Sequence, residues 1–285
     1  MKKLMYFLLI ALSVSLVACK KDDVADGPKI TYKATQKLPE VGNDKEDGLY
    51  LGGFGAKCTS HVYDEATQTG TLIFANNPIA MHNAFSGCKD LISVDLPKTI
   101  TVISSNAFKN SGIKNFTFPD WITKIEVNAF AGSEIESIII PETITEMGSS
   151  VFEGCKKLTE VYFSNEIDML PVNTFKNCKA LTTVVLPENC DKIGSYAFFG
   201  CSALPSIIIP FGITAIESFA FNGCSALATV TCKTPLPPTI DKMTCFAGIP
   251  AEAKLYVPSI GLNPYKLTGN WTYFFKAENI LPIAD

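Results

Sequence analysis

Ten cysteines and two histidines are the side chains of this 285-residue chain whose chemistry stands out first. Thiolates and imidazoles hold zinc when they cluster at short spacing, and a thiolate beside an imidazole is a nucleophile. Neither CxxC nor HExxH occurs, so a zinc site lacks its ligand pattern. The histidines are His61 and His82, and a thiol–imidazole pair of His82 with Cys88 is conceivable, although Cys88 also falls in a repeat column. The glycine fingerprints of nucleotide-binding loops are absent. The 28 acidic residues always permit some pair of carboxylates of the kind glycosidases use, but none is singled out by position. The chain therefore reads as a non-enzymatic protein with no metal and no cofactor. Its net charge of −4 and pI near 5.4 offer no basic footprint for nucleic acid. With 47% hydrophobic and 18% charged residues, it is rich enough in apolar side chains to bury a large core.

One cysteine has a context of its own. Lys2 and Lys3 precede an apolar run over residues 4 to 18 that ends in small residues. That is the grammar of an export signal, and at about fifteen residues it falls short of the roughly twenty that span a bilayer. The run closes on Leu16-Val17-Ala18-Cys19, which resembles the lipobox of bacterial lipoproteins. The resemblance implies cleavage before Cys19 and acylation of that residue, hence a membrane contact through a lipid anchor. Residues 1–18 then form the signal peptide and residues 19–29 a polar tether. The charged start Lys20-Lys21-Asp22-Asp23 is similar to the surface-export signals of Bacteroidetes lipoproteins, so the expected location is the outer membrane, facing outward.

The elements that must carry any site come from an internal repeat. A small residue followed by Phe recurs at Phe85, Phe108, Phe130, Phe152, Phe175, Phe198, Phe221 and Phe246, at spacings of 22 to 25 residues. Two residues after each of the first seven stands only Gly or Asn, the types that tolerate positive φ. Apolar triplets follow, such as Leu91/Val94/Leu96, Ile113/Phe116/Phe118, Ile135/Ile138/Ile140 and Leu204/Ile207/Ile209. The last two members of each are two apart, so they share one face of a strand. Pro97, Pro119, Pro141, Pro187 and Pro210 then stop the strand. A second apolar pair, such as Ile100/Ile103 or Ile213/Ile216, closes the unit. No unit buries its apolar side alone, so successive units must stack into a solenoid.

The segments AFSGCKDLISVDLPKTITVI (84–103), AFFGCSALPSIIIPFGITAI (197–216) and AFNGCSALATV (220–230) resemble the BspA-like leucine-rich repeats of bacterial surface proteins. The resemblance implies a curved solenoid displayed outside the cell and used for adhesion to host matrix proteins, other bacteria or glycans. It fixes no residue-level binding site. The expected fold is mostly β with short helical turns, about seven coils of 22–23 residues. Residues 30–70 form an N-terminal cap, residues 71–250 the solenoid and residues 251–285 a C-terminal cap. Thr71-Leu72-Ile73-Phe74 to Asn83 reads as the back half of a degenerate first unit. Trp271, Tyr273, Phe274 and Phe275 are either a ligand platform or, more naturally in a repeat protein, the seal on the open core end.

Cys88, Cys155, Cys178, Cys201 and Cys224 share one repeat column with Ser111 and Ser133, which calls for a small buried side chain. Stacked thiols in that column could come within disulfide range in an oxidising compartment. Strand residues between the buried ones point outward. Among them Ile139, Tyr162, Val185 and Ile208 form an apolar row, flanked by Ser137, Glu160, Thr183 and Ser206. Such a row is either the core of a partner-binding face or β-branched side chains stacking well across strands. An extracellular host or bacterial protein is the expected partner, with surface glycan binding or scaffolding as the other reading.

Overall fold

The computed structural model describes residues 27–41, 48–163 and 167–283. The export signal, Cys19 and most of the tether lie outside these residues. Eight Phe-bearing turns are stacked in register, one per coil. Adjacent rings of the column from Phe85 to Phe246 lie 5.0–5.6 Å apart, with interplanar angles of at most 24°. Each ring is essentially inaccessible to water, which places its burial at roughly 1.5–3 kcal/mol. The backbone locks the same column: Phe85 N–H donates to Ala107 O, Phe108 to Ala129 O and Phe198 to Ala220 O, at 2.7–2.8 Å. A small residue ahead of the Phe lets the coils approach closely enough for these bonds.

The short turn at each Phe is closed by hydrogen bonds such as Ser86 N–H to Asn83 O at 3.0 Å and Lys109 N–H to Asn106 O at 3.1 Å. Asn83, Asn106, Asn128, Ser150, Asn173, Tyr196 and Phe219, two residues before the Phe, have φ of 56–62°. Gly87, Asn110, Gly132, Gly154, Asn177, Gly200, Gly223 and Gly248, two residues after it, have φ of 56–84°. A left-handed residue on each side leaves three residues between, too few for a turn of α-helix. Among the described residues, helices occur only near the two ends of the chain, at Leu51–Phe54 and from Ser259 to Asn279.

Two ladders of strands run along the solenoid. The first carries Ser137–Ile140, Glu160–Phe163 and Thr183–Val185 as one parallel sheet. Ser206–Ile209, Thr229–Cys232, Lys254–Val257 and Ile280–Pro282 form another. The sheets part at Pro205 for a covalent reason. Thr159 N–H donates to Glu136 O, Thr182 to Thr159 O and Ala228 to Pro205 O, at 2.8–3.0 Å. Pro205 has no N–H to offer Thr182 O, so the ladder skips that junction. Two-residue strands after the prolines, among them Lys192–Ile193, Ala215–Ile216 and Thr239–Ile240, make the second ladder on another face.

The N-terminal end departs from the sequence expectation at one strand. Thr69–Phe74 pairs antiparallel with Lys29–Ala34 and with Cys58–Asp64, and Lys29–Ala34 pairs antiparallel with Leu91–Asp95. Thr71–Phe74 is therefore part of an antiparallel end sheet, not the back half of a parallel coil. From this end Phe54 and Tyr32 meet Phe85 edge-on, at 5.8 and 6.2 Å between ring centroids. At the other end Lys254–Val257 and Ile280–Pro282 continue the parallel sheet. Trp271 and Phe275 are buried 5.7 and 5.3 Å from Phe246. Trp271 Nε1 donates to Pro238 O at 3.0 Å, and Tyr265 Oη donates to Thr234 O at 3.1 Å. Tyr273 is left exposed.

Candidate functional site: the outward face of the first-strand ladder

In each first strand the side-chain alternation follows from the pleat. Ile138, Ile140, Ile207 and Ile209 are at most 2% exposed, whereas Ile139, Val185 and Ile208 are 43, 48 and 54% exposed. Tyr162 is half-buried, and its hydroxyl donates to Glu160 Oε2 at 3.3 Å. Strand register sets Ile139 opposite Tyr162, and Tyr162 opposite Val185. Ile208 sits beyond the Pro205 break and is in register with Thr231, Tyr256 and Leu281. The row therefore exists in two blocks. The second block reaches into the C-terminal segment, where Tyr256 supplies a second aromatic residue that the repeat spacing alone does not reveal.

The face also holds a cleft. Among the described residues, the stretch Asn115–Phe118 is paired with Ser137–Ile140 through a single β-bridge between Asn115 and Ser137, while Ser137–Ile140 is paired in full with Glu160–Phe163 on its other side. Phe116 and Phe118 pack edge-to-face at 5.0 Å, and both lie on Phe130 at 5.1 and 6.0 Å. Two large rings stand here where the next coil carries Ile138 and Ile140. Where the Asn115–Phe118 stretch parts from the Ile138–Pro141 stretch, a cavity of about 230 Å³ opens, with Ile139, Glu160 and Tyr162 on its margin.

The other chemically suggestive residues are accounted for by packing. Cys155, Cys178, Cys201 and Cys224 each donate the thiol to the carbonyl of the Phe one coil earlier, at 3.0–3.1 Å. Ser133 Oγ meets the Cys155 thiol at 3.5 Å, and Ser111 fills the same column by size alone, its buried hydroxyl without a hydrogen-bond partner among the described residues. The nine described cysteines are free thiols. Cys88 is buried, which pushes its thiol up to about 12, and the mainly exposed His82 side chain faces Glu126 at 3.9 Å. They do not form a thiolate–imidazole pair. His61 instead joins a relay in the end sheet: Tyr32 Oη donates to His61 Nε2 and His61 Nδ1 donates to Glu40 Oε1, both at 2.6 Å. Burial is the main influence on the imidazole and lowers its pKa. Among the described residues, no group of three or more His, Cys, Asp or Glu side chains could hold a metal ion.

The BspA type leucine rich repeat region matches this chain in six copies, over residues 79–201 and 169–250. Together these spans exceed half of the chain. No curated protein matches it. Among solved structures it is similar to a leucine-rich repeat protein from Eubacterium ventriosum. Identity there is 24% over 54% of this chain and 42% of that one, with a TM-score of 0.48. A leucine-rich repeat protein from Bacteroides ovatus matches at 18% identity over 83% of this chain and 71% of that one, with a TM-score of 0.43. A leucine rich cell surface protein from Faecalibacterium prausnitzii matches at 20% identity over 70% of this chain and 62% of that one, with a TM-score of 0.30. The chain thus spans less than half the length of the first of these. With its stacked Phe turns and strand ladder in register over the matched span, the chain belongs to the BspA-type leucine-rich repeat family.

Proposed function

We propose that this is a non-enzymatic, lipid-anchored protein of the bacterial cell surface that holds an extracellular protein on the outward face of its first-strand ladder and so mediates adhesion. The observation that carries the reading is the row Ile139, Tyr162 and Val185, set in register by the sheet and facing water. Core apolar residues rimmed by Ser137, Glu160 and Thr183 match the make-up of an interaction patch. BspA-type repeat proteins are typically surface-associated, which supports outward display. Among the described residues no helix is long and apolar enough to cross a membrane, and the lipid on Cys19 is the proposed anchor. Radiolabelled palmitate fed to the producing cells should enter the protein and fail to enter a Cys19→Ala variant; equal labelling of both would remove the anchor from the account.

The binding reading is tested with the full chain in detergent, screened against immobilised host matrix proteins and against polysaccharides. Saturable binding to a protein is expected. Tyr256, which the register adds to Tyr162 on this face, gives the glycan reading its foothold. Binding to polysaccharide alone would replace the protein partner by a glycan.

A further inference from the structure

We propose that the cleft beside Asn115–Phe118 is an anchor pocket for one apolar side chain of the partner protein, delivered by an extended segment with Lys or Arg next to it. This rests on the reading of the first-strand face as protein-binding and names the chemistry of what binds there. Phe116 and Phe118 are 9% and 7% exposed, so their rings present apolar surface at the cleft without projecting from it. Ile138 and Pro141 line the cleft with them. At about 230 Å³ the cavity is smaller than the ~300–1,000 Å³ of small-molecule sites, and it suits a single inserted side chain. Anchors of that kind carry most of the energy of a protein interface when they fill a desolvated pocket near its centre.

The margin argues for the neighbouring charge. Glu160 is the one charged residue lining the cleft among the described residues, and Tyr162 Oη donates to its carboxylate. A cation beside the anchor meets that carboxylate, whereas an acidic neighbour is repelled. The backbone of the incoming segment would run from the cleft along Tyr162 and Val185, whose register places them in line with Ile139.

A library of displayed random dodecapeptides, selected on the immobilised full chain, tests the proposal. Enriched peptides should carry Leu, Met, Phe or Trp next to Lys or Arg. Thr117→Trp, at an exposed position lining the cleft, should weaken the synthetic winners by roughly tenfold or more. Ser137→Trp, on the opposite wall, blocks the cleft independently and keeps the test alive should the first variant fold poorly. Glu160→Gln should weaken peptides bearing the basic residue and leave unchanged those in which it is replaced by Ala. Winners that survive both Trp variants but are lost on Val185→Ser would overturn the cleft while sparing the face. A library with no enrichment on wild type, or with winners indifferent to all of these variants, would overturn both.

Discussion

The thiols illustrate how single side chains serve this fold. A column position demands a side chain small enough to sit between stacked coils and favours a donor that finds a carbonyl there. Cys155, Cys178, Cys201 and Cys224 satisfy both through bonds to Phe130, Phe152, Phe175 and Phe198. Burial pushes the Cys155 thiol up to about 11 and the Cys224 thiol up to about 12, from an ordinary value of 9.0. In the folded chain these groups stay protonated at a pH where the unfolded chain releases their protons. The unfolded state is thus favoured as pH rises above about 9, and the loss continues up to the folded values. Denaturant midpoints measured from pH 7 to 11 should be flat with respect to these thiols below 9 and fall above it. A Cys155→Ser/Cys224→Ser variant should show a shallower fall, and an identical fall would contradict the assignment. The same scale shows what the sequence hides. The column two residues after each Phe is legible because only Gly and Asn occupy it. The column two residues before it is masked by Tyr196 and Phe219, two aromatics in left-handed backbone, where a bulky side chain is disfavoured. Their rings stack at 4.8 Å and within 6° of parallel, a tertiary contact that offsets the local cost and that no single-residue preference reports.

At the scale of elements, the N-terminal sheet is the part least legible in advance. Alternation of apolar residues is the same in parallel and antiparallel strands, so Thr71–Phe74 reads as a coil strand although it pairs antiparallel with both its neighbours. The cleft is hidden for a similar reason. Ile113, Phe116 and Phe118 keep the repeat spacing, and only the failure of the backbone ladder beyond Asn115 opens the cavity. By contrast, strand ends were readable, since a proline follows closely after Ser137–Ile140, Thr183–Val185 and Ser206–Ile209. The end sheet is also where acid should act. His61 is buried between Tyr32 and Glu40, and its pKa is lowered from 6.5, chiefly by burial. The unfolded sheet therefore takes up the proton first, and stability held above about pH 6.5 is lost as pH falls through that value. Hydrogen exchange of the Cys58–Asp64 and Thr69–Phe74 amides should quicken from pH 7 to 5, after correction for intrinsic rates, while the Phe198–Phe246 coils stay protected. Uniform protection across both regions would contradict this.

Along the solenoid, coils pack chiefly on their neighbours, with an exposed Lys233–Glu188 ion pair reaching across one coil, so stability is close to a sum of coil and junction contributions and the ends decide where opening begins. Trp271 and Phe275 close the column at Phe246. Trp271→Ala should cost about 3–5 kcal/mol and open the C-terminal coils before the rest, which hydrogen exchange resolved by segment would detect. Uniform opening of all coils would show that this end is not a separable cap. The solenoid leaves two faces with different characters: the first-strand face with its apolar row, and the second-strand face, where Thr214 and Thr239 are exposed. The measurement that bears most directly on the account compares them. Binding of the full chain to the matrix proteins that retain it is measured for wild type, for Tyr162→Ser/Val185→Ser, and for Thr214→Ala/Thr239→Ala, with thermal melts to verify folding. The account predicts that the first double variant loses binding while the second keeps wild-type affinity. Full binding by the first, or its loss only in the second, would place the partner elsewhere and contradict the account.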